Sequence, residues 1–130
     1  MKVLMVSRQF PAYHPKAGQP TGFIDRIISG RKLHTLRENK TGKFKNDDTV
    51  SLRYWADKPY RSKQIEFAQA TISVTVMILA YVSKDIPMIA DDDGLCTNDF
   101  VNWFGGYDKV NDWEGSCIWF KDIKPTTINA

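Results

Sequence analysis

The sequence predicts an α+β domain built on a small barrel-like sheet with two or so short helices, and three observations carry that prediction. Strand-type runs rich in β-branched residues recur along the chain, segments at helical spacing are short and end on glycine, and turn-forming residues separate the two. A length of 130 residues suits one hydrophobic core, so a single domain over residues 1–130 is expected.

The elements follow in order. "KVLMV" at residues 2–6 has strand length, and "SRQFPAYHPKAGQP" after it holds three prolines and a glycine in fourteen residues, which excludes a helix and predicts a long ordered loop over residues 8–20. "PTGFIDRIISG" reads as a short helix: Thr21 caps it, Phe23, Ile24, Ile27 and Ile28 share a face, and Gly30 stops it. "DTVSLRYW" alternates Val50, Leu52 and Tyr54 against Ser51, Arg53 and Trp55, a half-buried strand that leads into the basic turn or hairpin "KPYRSKQ". Residues 65–82 carry the longest strand signal, with Ile72, Val74, Val76 and Ile78 on one side. "DDDGLCTNDFVNWFGG" reads as an acidic turn and a short helix capped by Thr97, and "SCIWF" at residues 116–120 as a closing strand. Trp103, Phe104, Tyr107, Trp113 and Trp119 are expected mainly in the core, with room for one of them to line a base pocket.

Composition narrows the function classes. The opening residues are too short for a secretory apolar segment, and the most apolar stretch has only twelve residues and carries Thr71, Ser73 and Thr75, so a membrane role is not expected. Cys96 and Cys117 read as reduced thiols in a cytoplasmic protein, and neither they nor His14 and His34 have metal-ligand spacing, so no metal or other cofactor is expected. The charge is divided unevenly. Residues 1–65 hold 14 lysines and arginines against 5 acids, whereas residues 66–130 hold 4 against 10. The basic half is a footprint for phosphate or another anion, or for internal ion pairs with the acidic half.

One stretch combines these features. "SGRKLHTLREN" sets a lysine, a threonine and an arginine behind a helix-stopping glycine, and Thr35 and Arg37, two apart on a strand, share a face. An ammonium, a hydroxyl and a guanidinium in one corner suit an anionic or carbonyl-bearing ligand, although a bidentate ion pair to an aspartate is an equally ordinary use of Arg37.

The pattern Gly30, Lys32, Thr35, Arg37, read as G-x-K-x-x-T-x-R, resembles the signature of the ASCH domain, a member of the PUA-like β-barrel superfamily. "FKNDDTVSLRYW" is similar to that family's turn and following strand, with Asp47 where the family usually has glycine. "DDDGLCTNDFVNWF" and "GSCIWF" extend the likeness, so that it covers roughly residues 20–121. The resemblance implies a small PUA-like barrel that binds RNA or a nucleoside or nucleotide in a cleft beside it, with Gly30, Lys32, Thr35 and Arg37 at the ligand. It also implies a possible activity, because some small bacterial members remove the acetyl group from acetylated cytidine. Their threonine is the proposed nucleophile, their lysine its activator and a glutamate the acid and base; Lys32, Thr35 and Asp93 correspond here. Aspartate is one methylene shorter, and Asp91 and Asp92 leave the register open. A weak ribonuclease activity, known in the family, would fall to Lys32 and His34. Apart from the motif, Lys43, Lys45, Lys58, Tyr60, Arg61 and Lys63 interleave cations with an aromatic ring as RNA contacts require, and equally as solvated turns do.

Overall fold

The computed structural model describes residues 1–126. Its strands are β1 (Lys2–Met5), β2 (His34–Arg37), β3 (Thr49–Trp55), β4 (Gln64–Ile78) and β5 (Glu114–Pro125), and its helices α1 (Phe23–Ile28), α2 (Ile86–Asp92) and α3 (Thr97–Trp103). Short 3-10 segments cover Leu79–Asp85 and Val110–Asp112.

The strands form one mixed sheet in the order β1-β3-β4-β5-β2. Only β1 and β3 run parallel; the other pairs are antiparallel. The sheet curls into a half-barrel rather than closing, because no ladder joins its edge strands β1 and β2. Its concave face buries Leu4, Val50, Leu52, Ile72 and Ile118, on which α1 lays Phe23 and Ile27 and α3 lays Phe100 and Val101.

Several local expectations change. β4 ends at Ile78 rather than continuing to residue 82: the chain turns into the 3-10 segment there, and the Leu79 N–H donates to the Trp113 carbonyl at 3.3 Å. The alternation holds only in the middle of β4: Phe67 and Ala68 are buried in succession where the register shifts, and Thr75 and Val76 are both exposed, Val76 by 79%. The described residues form three α-helices. Ile86, Ile89 and Ala90 bury one face of α2, and its proline lies in the first turn, where no intrahelical N–H is needed. Asp91 and Asp92 are therefore the last turn of a helix, and Asp93 its C-cap, instead of a free acidic turn. The cap position of α3 is Cys96 rather than Thr97, and that of α1 is Gly22. Thr21 still satisfies a helix donor, since its hydroxyl accepts from the Phe23 N–H at 3.3 Å and donates to the Ser7 carbonyl at 2.8 Å. The closing strand is longer than residues 116–120 because β4 offers partners from Ala68 to Ile78. Tyr107, placed in the core by its residue type, is exposed.

The proline-rich loop is ordered by its own closure and by α3. A bridge pairs Gln9 with Pro20, and the Phe10 N–H donates to the Gln19 carbonyl at 3.0 Å. Tyr13 then donates to the Trp103 carbonyl at 2.7 Å, and Lys16 pairs with Asp99 at 2.7 Å. His14 is buried between them. Its Nδ1 accepts from the Lys16 N–H at 3.0 Å, so Nε2 carries the proton and donates to the Asp99 carbonyl at 2.9 Å. Among the described residues no helix is long and apolar enough to cross a membrane.

Candidate functional site

The geometry begins at Gly30. Its φ of +80° makes it the left-handed residue that ends α1, and the Gly30 N–H donates to the Ile27 carbonyl at 3.1 Å while the Arg31 N–H donates to the Arg26 carbonyl at 2.8 Å. These two bonds are the Schellman pair. The Lys32 N–H shares the Arg26 carbonyl at 2.9 Å, which turns the chain inward, so that Lys32 is only 2% exposed.

Inside, Lys32 meets the end of α2. Its Nζ donates to the Asp93 carbonyl at 2.8 Å and lies 3.1 Å from Asp93 Oδ1, and it stands 4.1 Å from the centre of the Phe23 ring. Burial pushes the Lys32 ammonium below its ordinary pKa, and the Asp93 charge and hydrogen bond oppose that shift. Asp93 Oδ1 is also 3.1 Å from His34 Nδ1, and the His34 ring stands edge-on to Trp119. A further bond, from the Leu33 N–H to the Asp92 carbonyl at 2.7 Å, fastens the start of β2 to the end of α2. Of the three aspartates Asp93 is thus the buried one, while Asp91 is exposed.

Thr35 and Arg37 follow on one face of β2. Arg37 is not in an ion pair with an aspartate. Its Nη2 donates to the Met5 carbonyl at 2.5 Å, reaching from one edge of the sheet to the other, while its Nε is buried with no hydrogen-bond partner among the described residues. Burial pushes this guanidinium below its ordinary pKa as well.

Between the two edges lies a cavity of about 520 Å³. Lys32, Thr35, Arg37 and Asp93 all line it, and Phe23, Trp103, Phe104 and Trp113 supply an aromatic wall. The rings pack in pairs, Phe23 on Trp103 at 5.6 Å and Phe104 on Trp113 at 5.2 Å. Tyr13, from the proline-rich loop, adds to the rim. The Lys32 amine and the Arg37 guanidinium place nitrogen donors on the inner wall beside the Asp93 carboxylate. Such a space can stack a planar ring and offer donors to carbonyl or anionic oxygens.

The other sequence-derived candidates lie elsewhere. Gly30 shapes the approach to the cavity without lining it, and Lys43, Lys45, Lys58, Arg61 and Lys63 are exposed and outside its walls. Tyr60, at the turn of the β3–β4 hairpin, is 87% exposed and rests on Trp55 at 5.4 Å. The sequence leaves room for one of Trp103, Phe104, Tyr107, Trp113 and Trp119 at a base pocket, whereas three of them line the cavity with Phe23, and the His34–Asp93 contact has no sequence signal. Their residue types fit a core equally well, and only the long-range packing of α1 and α3 separates the two roles. Cys117 is buried and its thiol pushed up to about 12, chiefly by desolvation, which makes it a poor nucleophile. No group of three metal-ligating side chains occurs among the described residues.

Comparison with protein-family models, with curated proteins and with solved structures found no match to this chain.

Proposed function

We propose that the chain is an ASCH-type protein with a PUA-like half-barrel, and that the cavity between its sheet edges binds a nucleoside or nucleotide, free or within RNA. The observation that carries this reading is the meeting of Lys32, Thr35, Arg37 and Asp93 with a wall of aromatic rings in one space of about 520 Å³. A nucleobase needs both halves of that wall. Stacking on an aromatic ring is worth about 1–3 kcal/mol per base, and charged donors select the oxygens of base, sugar or phosphate. The exposed cations Lys58, Arg61 and Lys63 around Tyr60 suit the backbone of a longer strand.

Titration of the intrinsic tryptophan fluorescence with cytidine, cytidine monophosphate and a short single-stranded RNA tests the reading. A saturable change that Trp103→Ala weakens, and for RNA a steep loss of affinity with salt that Lys58→Ala and Lys63→Ala reduce, is the expected result. Absence of saturation by all three at millimolar concentration would sink it.

A second reading is hydrolysis of an acylated cytidine, and the Lys32–Asp93 pair favours it. A lysine whose pKa is lowered by burial loses its proton at lower pH than a solvated one, and so is more often free to accept another. The Thr35 hydroxyl would attack the acyl carbonyl and pass its proton to Lys32, the amine would leave protonated through Asp93, and water would then cleave the threonine ester. Release of cytidine from acetylated cytidine by the wild type, lost in Lys32→Ala and followed by mass spectrometry, is the measurement. The ribonuclease reading is less well supported, because His34 is only 1% exposed and turned to Asp93, out of reach of a phosphodiester.

A further inference from the structure

The cavity is lined by four consecutive residues, Thr35, Leu36 and Arg37 of β2 and Glu38 directly after it. Side chains alternate between faces along a strand, so a space lined by consecutive residues looks at the strand edge-on and meets its backbone. The register shows which backbone groups point there. The Phe120 N–H donates to the Leu33 carbonyl at 3.0 Å, and β2 pairs with β5 so that Thr35 faces Ile118 and Leu36 faces Cys117. In an antiparallel ladder alternate residues exchange both bonds, so Thr35 and Arg37 turn their N–H and C=O to β5, Leu33 turns only its C=O there because its N–H is held by Asp92, and Leu36 turns both into the seam.

Across the seam two carbonyls, one at the end of β1 and one just beyond it, are occupied. The Met5 carbonyl accepts from Arg37 and the Ser7 carbonyl from Thr21. Leu36 has no such partner among the described residues, and it is only partly buried. A donor and an acceptor side by side, at the wall of a cavity with aromatic sides and buried cations, are what a neighbouring strand would ordinarily engage. The free edge is only four residues long, and the ring-lined space beside it is compact, which fits a planar cyclic amide better than an extended peptide.

We infer that the free backbone edge at Leu36 is the specificity-determining element of the cavity, pairing its N–H and C=O with the donor–acceptor edge of a pyrimidine base, as a strand would. This rests on the nucleoside reading above. It adds which edge of the base is read and by what. The acceptor oxygen of a uracil ring would take the Leu36 N–H, and the adjacent ring N–H would donate to the Leu36 carbonyl.

The test compares uridine with 3-methyluridine on the wild type, and then uridine on Leu36→Ala and Leu36→Pro. Proline at an outward-facing position of an edge strand removes the N–H without breaking a ladder bond, and the alanine variant controls for the lost side chain. The expected result is a loss of at least about tenfold on methylation of the base, the same for Leu36→Pro, and a change within about threefold for Leu36→Ala, a tenfold loss being about the weight of one hydrogen bond in a partly buried site. Binding of uridine and 3-methyluridine within about twofold overturns the edge assignment alone, even if Leu36→Pro does not fold. Failure of the wild type to bind either uridine or cytidine overturns the nucleoside reading and the edge assignment with it. Saturation by a short extended peptide in place of uridine also overturns the assignment.

Discussion

Arg37 and Met5 stand on the two opposite edges of the sheet, and the guanidinium of the one donates to the carbonyl of the other at 2.5 Å. A single side chain thus spans the seam that backbone pairing leaves open, and it does so at the wall of the cavity. Replacing Arg37 by lysine keeps the charge but not the planar fork, so the bond to Met5 and the fixed position of the donors are lost together. Arg37→Lys is expected to lower stability by about 1–3 kcal/mol, the usual weight of a charged hydrogen bond whose acceptor is left unmet. Denaturant unfolding checks it, and an unchanged midpoint would show that the seam needs no bridge.

Lys32 and Asp93 form a pair with both members buried. Removing one partner leaves the other charge without compensation, which typically costs about 3–5 kcal/mol, whereas replacing both by apolar residues is often neutral. Lys32→Met and Asp93→Leu are each expected to destabilise strongly and the double variant to recover part of the loss. Equal additivity in the double-mutant cycle would mean that the two do not act as a pair.

The same lysine has an alkaline signature. Its folded pKa lies below the ordinary value of about 10.4, so between the two the unfolded chain binds more protons and stability rises with pH. The difference in unfolding free energy between wild type and Lys32→Met should therefore shift in favour of the wild type as pH rises through that window. A difference independent of pH would contradict the burial of a titrating ammonium.

Asp99 provides the acid counterpart. Burial acts to raise its pKa, but the hydrogen bond and charge of Lys16, with a hydrogen bond from Cys96, outweigh burial and hold the carboxyl below its ordinary value. A depressed carboxylate contributes stability that is complete above the unfolded pKa of about 3.9 and is lost as pH falls through the folded one. Lys16→Gln should remove that contribution at neutral pH, converge with the wild type in acid, and make residues 8–20 more open to limited proteolysis. Identical cleavage of both proteins would show that the loop does not depend on this pair.

Gly94 tests how closely the site is packed. It has a φ of +81°, and a Cβ there would lie 3.1 Å from the Lys32 Cβ, whereas Gly18, at +80°, has nothing within 4 Å. Both alanine variants bear the left-handed strain of about 1–2 kcal/mol, but only Gly94→Ala should also disturb ligand binding, because only it presses on Lys32. Equal effects on binding would separate the Lys32 position from ligand affinity.

What the sequence determined by itself is local. Gly30 ends a helix because only a residue at ease at positive φ closes the Schellman turn, and the β-branched alternation from Ile65 onward specifies a strand whose Ala68, Ala70 and Ile72 meet the core. The hairpin between Trp55 and Gln64 was legible in its proline and basic turn for the same reason. The pattern Gly30, Lys32, Thr35, Arg37 likewise marked a corner of chemistry, since two residues apart on a strand always share a face. What only the tertiary structure decided is which distant groups meet that corner. Asp93 rather than Asp91 is buried beside Lys32 because the Leu33 N–H docks on the Asp92 carbonyl and fixes the rotation of the end of α2. Trp103 and Phe104 line a cavity rather than fill a core because the curled sheet stops short of closing, and Arg37 faces a carbonyl instead of an aspartate for the same reason. These are contacts between residues tens of positions apart; no local periodicity encodes them, and they are set by where the sheet's two edges come to rest.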